Sequence, residues 1–482
     1  MINIDETIKT KTVKCDKDLT FEECELTILR SAVDLAQEKM AKKAINSPEI
    51  QDIIRVVEDF LRRKQLVTYG GSALNEILPP EDRFYNKDLE IPDYDFYSPN
   101  ALNDAKELAD IYFNKGYEDV EAKAGQHHGT FKVFVNFIPV ADLTQMPKEL
   151  FYFIKKDSIS INGILFSPPN LLRMASYLEL SRPAGDTSRW EKVMKRLSLL
   201  NKNYPVTDFN CNKVDFQREM ENNKRADEIY EVVRDTLINQ GCVFFGGFAI
   251  ANYSKYMPKK QREKVKRIAD FDVLSYDPIA TAEILKERLK DIKVFNVTII
   301  TRPPIGELIP EQIEVRVGRD TVAVIYKPIA CHSYNNVKIG GKKVKIATID
   351  TMLAFYLAFI YADKPYYNPQ RILCMAQFLF DVQQKNRLNQ KGLLRRFTIT
   401  CYGRQQTIED MRSEKAKKFR ELKDKKNSTE YQEWFLRYNP ADSKGYNKAS
   451  ASGPKPNPNI RTRKPKYKKF KKQKTRKNKK IK

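Results

Sequence analysis

The feature that most constrains the fold of this chain is an internal repeat. Ile53, Val56, Val57 and Leu61 return as Ile229, Val232, Val233 and Leu237, each 176 positions later, and the same shift carries Tyr69-Gly70-Gly71 onto Phe245-Gly246-Gly247. Asp93 and Asp95 correspond to Asp270 and Asp272, and Phe166 to Leu180 corresponds to Ile346 to Ile360, with a helix start at Asn170 and again at Asp350. The chain therefore holds two copies of one α/β unit.

In the first copy, Leu66 to Tyr69 is apolar and β-favouring, and Ala73 to Leu78 has helical spacing, so Gly70-Gly71-Ser72 sits at a strand-to-helix turn. Such a turn offers backbone N–H groups at a helix N-terminus. The missing Cβ atoms of Gly70 and Gly71 let a polyphosphate approach, and the Ser72 hydroxyl adds a donor. Downstream, Asp93, Asp95 and Tyr97 alternate with Tyr94, Phe96 and Ser98, which puts both carboxylates on one face of a strand. Like charges at this spacing repel unless a cation lies between them, and hard oxygen ligands suit magnesium. A third acid, Asp142, stands in the apolar run Pro139 to Leu143, after a strand-like segment from Lys132 to Ile138. A buried acid needs a partner, and three convergent carboxylates fit two-metal phosphoryl transfer.

The copies differ in chemistry. Phe248 replaces Ser72 and would crowd a phosphate, and Val322-Ala323-Val324 replaces Val140-Ala141-Asp142. The second copy reads as a scaffold, an RNA surface or a dimer surface.

Arg189, Lys192 and Lys195 or Arg196 recur at helical spacing after Pro183 and Gly185. They form either a solvated charged face or a cationic wall that holds a triphosphate opposite the carboxylates, with Lys192 the favoured contact. His127 and His128 fall in a turn beside Gly129; without an acid or thiol at ligand spacing they read as surface or RNA-adjacent residues rather than metal ligands.

Of a net charge of +24, the segment Lys455 to Lys482 supplies 15 Lys or Arg and no acid, leaving about +9 for the rest. A phosphate-rich partner is the expectation. Seven cysteines without a C-x-x-C pair argue against a zinc site, and their odd number against a complete disulfide framework, so a reducing intracellular compartment is expected. The longest apolar run, Met352 to Ala362, is too short to span a bilayer, and no membrane association is expected.

The expected organisation is an N-terminal helical segment (1–50, with a packing helix from Thr20 to Ala44), a catalytic domain (51–204), a second domain (205–390), a charged C-terminal region (391–450) and a disordered Lys-rich tail (451–482). Phe151 to Ser167 reads as strand and loop, and Glu409 to Leu436 as a solvent-laced helix or a mobile segment.

At Tyr69-Gly70-Gly71-Ser72, Asp93-Tyr94-Asp95-Phe96-Tyr97-Ser98-Pro99-Asn100 and Val140-Ala141-Asp142-Leu143, the sequence resembles the poly(A) polymerase catalytic subunits of large DNA viruses. It is closer to the asfarvirus and mimivirus types than to the poxvirus one. Ser188-Arg189-Trp190 with Lys192 and Lys195-Arg196 resembles a basic motif of that group, and the resemblance runs through most of residues 50 to 390. It implies an α/β (α+β) architecture of two tandem DNA polymerase β-like nucleotidyltransferase domains, the second degenerate. It implies untemplated AMP addition from ATP to messenger RNA 3′ ends, with Asp93, Asp95 and Asp142 as catalytic and metal-binding residues. Gly70, Gly71, Ser72, Arg189, Lys192 and Lys195 would bind the nucleotide, and two Mg2+ or Mn2+ ions would be the cofactors. Poxviral relatives work with a processivity partner, whereas giant-virus relatives look like homodimers. The resemblance further implies contact with the viral transcription machinery, in a virus factory of the host cytoplasm and in the virion. Two rivals stay open: another nucleotidyltransferase, CCA-adding or small-molecule-modifying, and an inactive RNA-binding subunit.

Overall fold

In a computed structural model, residues 20–443 are described except 87–90, most of 207–223, 263–270, 363 and 388. Asp270 and the Lys-rich tail of the sequence reading lie outside the described residues. The described residues up to Pro440 form one compact unit; of the second unit, 441–482, only 441–443 are described.

The first copy starts at helix α2 (Pro48–Lys64), which follows α1 (Phe21–Ile45). Ser47 caps α2 by accepting from the Ile50 N–H, Pro48 fits its first turn, and Ile53, Val56, Val57, Phe60 and Leu61 bury one face. Strand β1 (Val67–Thr68) then meets α3 (Gly70–Ile77), and β2 (Tyr94–Ser98) alternates buried and part-buried residues as its period-2 pattern requires. After α4 (Ala101–Asn114) come β3 (Val120–Ala124), β4 (Thr130–Val135) and β5 (Ile138–Gln145), then α5 (Lys148–Lys156), β6 (Ile159–Ile161), β7 (Ile164–Phe166), α6 (Pro169–Leu180) and α7 (Trp190–Asn203).

The second copy repeats this order with the single turn α10 (Lys259–Arg262) added and no helix at the place of α5: α8 (Ala226–Asn239), β8 (Val243–Phe244), α9 (Gly247–Tyr253), α10, β9 (Phe271–Leu274), α11 (Pro278–Asp291), β10 (Val297–Arg302), β11 (Gln312–Val317), β12 (Asp320–Tyr326), β13 (His332–Ile339), β14 (Lys342–Ala347) and α12 (Ile349–Ile360). Its sheet runs β10-β11-β12-β9-β8-β14-β13, strand for strand the order β3-β4-β5-β2-β1-β7-β6 of the first. Corresponding pairs are parallel or antiparallel in the same places, and both sheets carry a register shift on the same strand, at Val133/Phe134 and Val315/Arg316. The equivalent helices α6 and α12 pack on each other. Buried all round, α12 accounts for the long apolar run of the sequence. No helix among the described residues is long and apolar enough to cross a membrane.

Three sequence expectations are corrected, and the cysteines add a feature the sequence does not show. Residues 151–156 are helical, because Leu150, Phe151 and Ile154 bury one face of α5. The segment 132–138 is a hairpin rather than one strand: Asn136 and Phe137 both take left-handed φ (49° and 68°), so the chain reverses between β4 and β5. The helix α1, expected to pack, leaves its apolar residues Leu26, Leu29, Ala32, Val33 and Ala36 exposed. Disulfides join Cys211 to Cys374 and Cys331 to Cys401, since separate elements bring their Cα atoms to 5.6 and 5.2 Å. Spacing alone could not show this.

Beyond α13 (Pro369–Lys385) each sheet gains an edge strand: β15 (Cys401–Tyr402) beside β13, and β16 (Arg437–Tyr438) beside β3. Between them Glu409 to Leu436 forms α14 (Ile408–Leu422), started by a capping box of Thr407 and Asp410, and α15 (Thr429–Phe435). The C-terminal region thus returns to the first sheet.

Candidate active site

The parallel register of β2 and β5 sets Asp95 directly beside Asp142. Residues so paired project from one face, and Asp93, two positions before Asp95, shares it. The Tyr69 N–H donates to the Asp95 carbonyl (2.9 Å), which hangs the glycine turn on the same strand. Gly70 has φ +74°, and a Cβ there would lie 3.0 Å from Asp95 Oδ2, so both backbone and space call for glycine. At Gly71 a Cβ would lie 2.7 Å from Arg196 Nη1 and 2.8 Å from the Tyr85 hydroxyl. Ser72 Oγ donates to the Asp93 carbonyl (2.6 Å), tying turn and acid together.

The three charges act on one another. Burial first, then the charges of Asp93 and Asp142, push the Asp95 carboxyl up to about 7, while Lys132 and Arg189 pull it down. Asp93, although exposed as a residue, is raised by the protein mass around its carboxyl and by Asp142, with Lys132 opposing. Burial, assisted by all three carboxylates, raises the Tyr69 phenol. Lys132, the antiparallel partner of Asp142 on β4, forms a close ion pair with it. Among the described residues no three His, Cys, Asp or Glu side chains close into a metal-holding cluster, so the Lys132 ammonium is the counter-charge at hand. The donor set itself fits a hard divalent cation: three carboxylates on one face, with the charge of Asp142 helping to raise Asp93 and Asp95.

On the glycine side of Asp95 lies a cavity of about 230 Å³, lined by Gly70 and Gly71 of the turn, by Arg189 just before α7 and Arg196 within it, and by Leu171 and Leu172 from α6. Arg189 is held by Glu179 (3.1 Å), whose carboxyl burial raises and Arg189 lowers. Arg196 bonds the Tyr85 hydroxyl (2.7 Å) and lies over the Phe84 ring. Lys192 is exposed and has no ion-pair partner among the described residues. Lys195 is turned to solvent, paired with Glu191 (2.6 Å), and does not line the cavity. The apolar stripe Val193, Leu197 and Leu200 of α7 puts positions 189 and 196 on its flank and 195 opposite, a signal present in the sequence. His127 and His128 lie in the β3–β4 turn, as the sequence indicates.

In the second copy Asp272 stands beside Val324 in the register that Asp95 shares with Asp142, and the Phe245 N–H repeats the bond to the Asp272 carbonyl (3.0 Å). Glu314, opposite Val324, takes the place of Lys132. Burial works against its charge, yet bonds from Arg316 (2.7 Å), Thr321 (2.6 Å) and Arg302 (2.9 Å) hold its carboxyl below the usual range. Phe248, at the position of Ser72, is buried against Phe244 and Phe271.

Residues 55–186 match the family model of the poly(A) polymerase catalytic subunit. The chain is 38% identical over 165 residues to the "Putative poly(A) polymerase catalytic subunit" of Acanthamoeba polyphaga mimivirus, and 32% identical over 171 residues to the protein of that name from African swine fever virus (strain Badajoz 1971 Vero-adapted). These stretches cover 33% and 34% of this chain and only 28% and 36% of the two relatives. The crystal structure of the Megavirus polyadenylate synthase has the same fold, with a TM-score of 0.72 at 20% identity over 92% of this chain and 90% of that one. The resemblance to viral poly(A) polymerase catalytic subunits thus holds across the segment that carries Gly70, Gly71, Asp93, Asp95 and Asp142, and the fold is that of a polyadenylate synthase over nearly the whole chain.

Proposed function

We propose that the protein is a template-independent poly(A) polymerase that transfers AMP from ATP to the 3′ end of RNA. The observation that carries this reading is the register that sets Asp95 beside Asp142, with Asp93 on the same face and the Gly70 turn against the Asp95 carboxylate. Bond by bond, the RNA 3′-oxygen joins the α-phosphorus, the bond to the β-phosphate oxygen breaks, and pyrophosphate leaves as the 3′-hydroxyl proton is lost. No nucleophilic side chain takes part.

The nucleotide fits the cavity between the glycine turn and α7. There the first N–H groups of α3 meet its phosphates without side chains in the way, and Arg189 and Arg196 bring positive charge from the facing helix. Asp93, Asp95 and Asp142 would hold two divalent ions, Mg2+ or Mn2+. When bound, these supply a more acidic attacking hydroxyl and charge neutralisation on the leaving group. Lys132 must give up Asp142 for this, and so holds the third carboxylate in place until then. The second copy, with Val324 where the third acid would stand, acts as scaffold.

The test is extension of an RNA primer by each of the four nucleotides separately, with and without magnesium. ATP-selective, magnesium-dependent extension that Asp95→Ala abolishes is expected. Extension by CTP and ATP in a fixed order, or extension that survives the substitution, would refute it.

A further inference from the structure

A second cavity, of about 480 Å³, opens on the other side of Tyr69 and Tyr97 from the nucleotide cavity; the two rings stack at 4.1 Å and line both spaces. Its floor is Thr144 and Thr130, register partners of each other and each two positions along its strand from Asp142 and Lys132. The cavity therefore sits about 7 Å along the sheet from the carboxylates, on the same face. The Tyr69 hydroxyl and Thr144 Oγ1 share a hydrogen bond of 2.8 Å beneath it.

Its far wall comes from the C-terminal return. Trp434, just before β16, packs against His128 of the β3–β4 turn with centroids 4.2 Å apart and ring planes tilted by 37°. Lys415 of α14 donates to the Gly125 carbonyl (2.9 Å) and fixes that wall to the same turn. Two acids, Glu307 and Glu414, also line the cavity. They would repel a polyphosphate but accept hydrogen bonds from a base edge or a ribose hydroxyl. Beside the cavity, Lys132, Lys123 and Arg437 occupy adjacent register positions on β4, β3 and β16. Lys132 is paired with Asp142 and Lys123 with Glu121 (3.4 Å); released from those acids, the row offers three cations side by side to a polyanion laid across the strands.

From this we infer that the cavity receives the 3′-terminal nucleoside of the acceptor RNA, its base stacked on the Trp434–His128 platform and its phosphates following the row Lys132, Lys123, Arg437. The inference rests on the polymerase reading for its orientation, because the 3′-oxygen must reach Asp142 while ATP fills the glycine side. It gives α14, α15 and β16 a role in holding the acceptor.

Two measurements on the full chain test it: binding of a fluorescent riboadenylate hexamer without divalent ions, by anisotropy at salt high enough to screen phosphate contacts, and extension kinetics with RNA and ATP varied separately. Trp434→Ala and His128→Ala are each expected to weaken hexamer binding about ten-fold, the loss of one base stack, and to raise KM for RNA with KM for ATP unchanged. His128 is exposed, so its replacement leaves folding intact even if Trp434→Ala does not. An increase in KM for ATP alone would make the cavity the nucleotide's base pocket, and unchanged hexamer binding in His128→Ala would remove the platform; either result overturns the inference. If wild type binds the hexamer, both variants lose it, and no nucleotide is incorporated, the RNA site stands and the polymerase reading falls.

Discussion

Replacing Asp95 by Asn should make the metal-free protein more stable at neutral pH while destroying its activity. The carboxyl is lifted from the usual 3.8 to about 7, by burial and by the neighbouring Asp93 and Asp142 charges. A group bound to its proton more tightly in the folded state stabilises below its unfolded value and loses that contribution as pH rises through the folded value. The loss therefore develops between pH 3.8 and about 7 and is complete above. At about 1.36 kcal/mol per pH unit the full difference is on the order of 4 kcal/mol, and water reaching the part-exposed carboxylate trims it to about 2–3 kcal/mol. Asparagine keeps the shape and removes the charge. Urea unfolding in chelator should show equal stability for wild type and Asp95→Asn near pH 4 and a growing advantage for the variant up to pH 8. Magnesium should then stabilise the wild type and not the variant, because binding to the folded state alone adds stability by mass action. A variant less stable than wild type at pH 8, or an advantage independent of pH, would show that the three acids do not repel one another and would remove the physical basis for a cation site.

Further outcomes follow from the same geometry. Lys132→Met removes the counter-charge of Asp142, so the metal-free protein should unfold at lower urea above pH 7, while the magnesium concentration that half-saturates activity should fall, read by titrating extension rate against magnesium. Gly70→Ala should lower stability by roughly 1–2 kcal/mol for its left-handed φ and abolish extension, because the methyl group would meet Asp95 Oδ2 at 3.0 Å; normal turnover would refute the cradle. Arg196→Lys keeps the charge but loses the planar fork over Phe84, and should raise KM for ATP about ten-fold with little change in KM for RNA, whereas Lys195→Ala should change neither in steady-state kinetics.

Much of this architecture is legible in the residues, and what is not has identifiable causes. The repeat shows because each copy keeps the apolar positions of its first helix and its glycine turn, and the matching strand orders are what two copies of one unit must give. The acids of β2 show because period-2 alternation fixes the face on which Asp93 and Asp95 lie. Asp142 shows only as an acid in an apolar run; its place beside Asp95 depends on strand register, which no local pattern states. The choice between Lys195 and Arg196 turns on the roll of α7, which Val193, Leu197 and Leu200 specify. Lys132 as the partner of Asp142, Tyr85 beneath Arg196, and the return of β16 to β3 join segments up to several hundred residues apart, and the sequence holds no periodic trace of them. The α5 helix was hidden by a run of aromatic residues that suits a strand equally well.

The two copies also act as each other's control. One strand order, one pair of glycines and one tethering bond from the turn to the acidic strand occur twice, so none of these features requires catalysis. What differs is charge. The first copy places Asp142 and Asp95 side by side with Lys132 against them; the second keeps Asp272 but puts Val324 beside it, and its Glu314, at the position of Lys132, lies between Arg302 and Arg316. A sheet selected only for stability takes the second arrangement, in which the buried acid is paired and hydrogen-bonded. Keeping the first, in which burial and then its acidic neighbours raise Asp95 to about 7, makes sense only where something outside the chain neutralises those acids. Installing the missing acid in the second copy, Val324→Asp, should therefore cost stability without creating activity in a chain that also carries Asp95→Ala: Glu314 stands where Lys132 would be, and Phe248 fills the turn that Ser72 leaves polar. Extension by that double variant would show that the second copy lacks only one carboxylate, and that its packed turn is no barrier to a nucleotide.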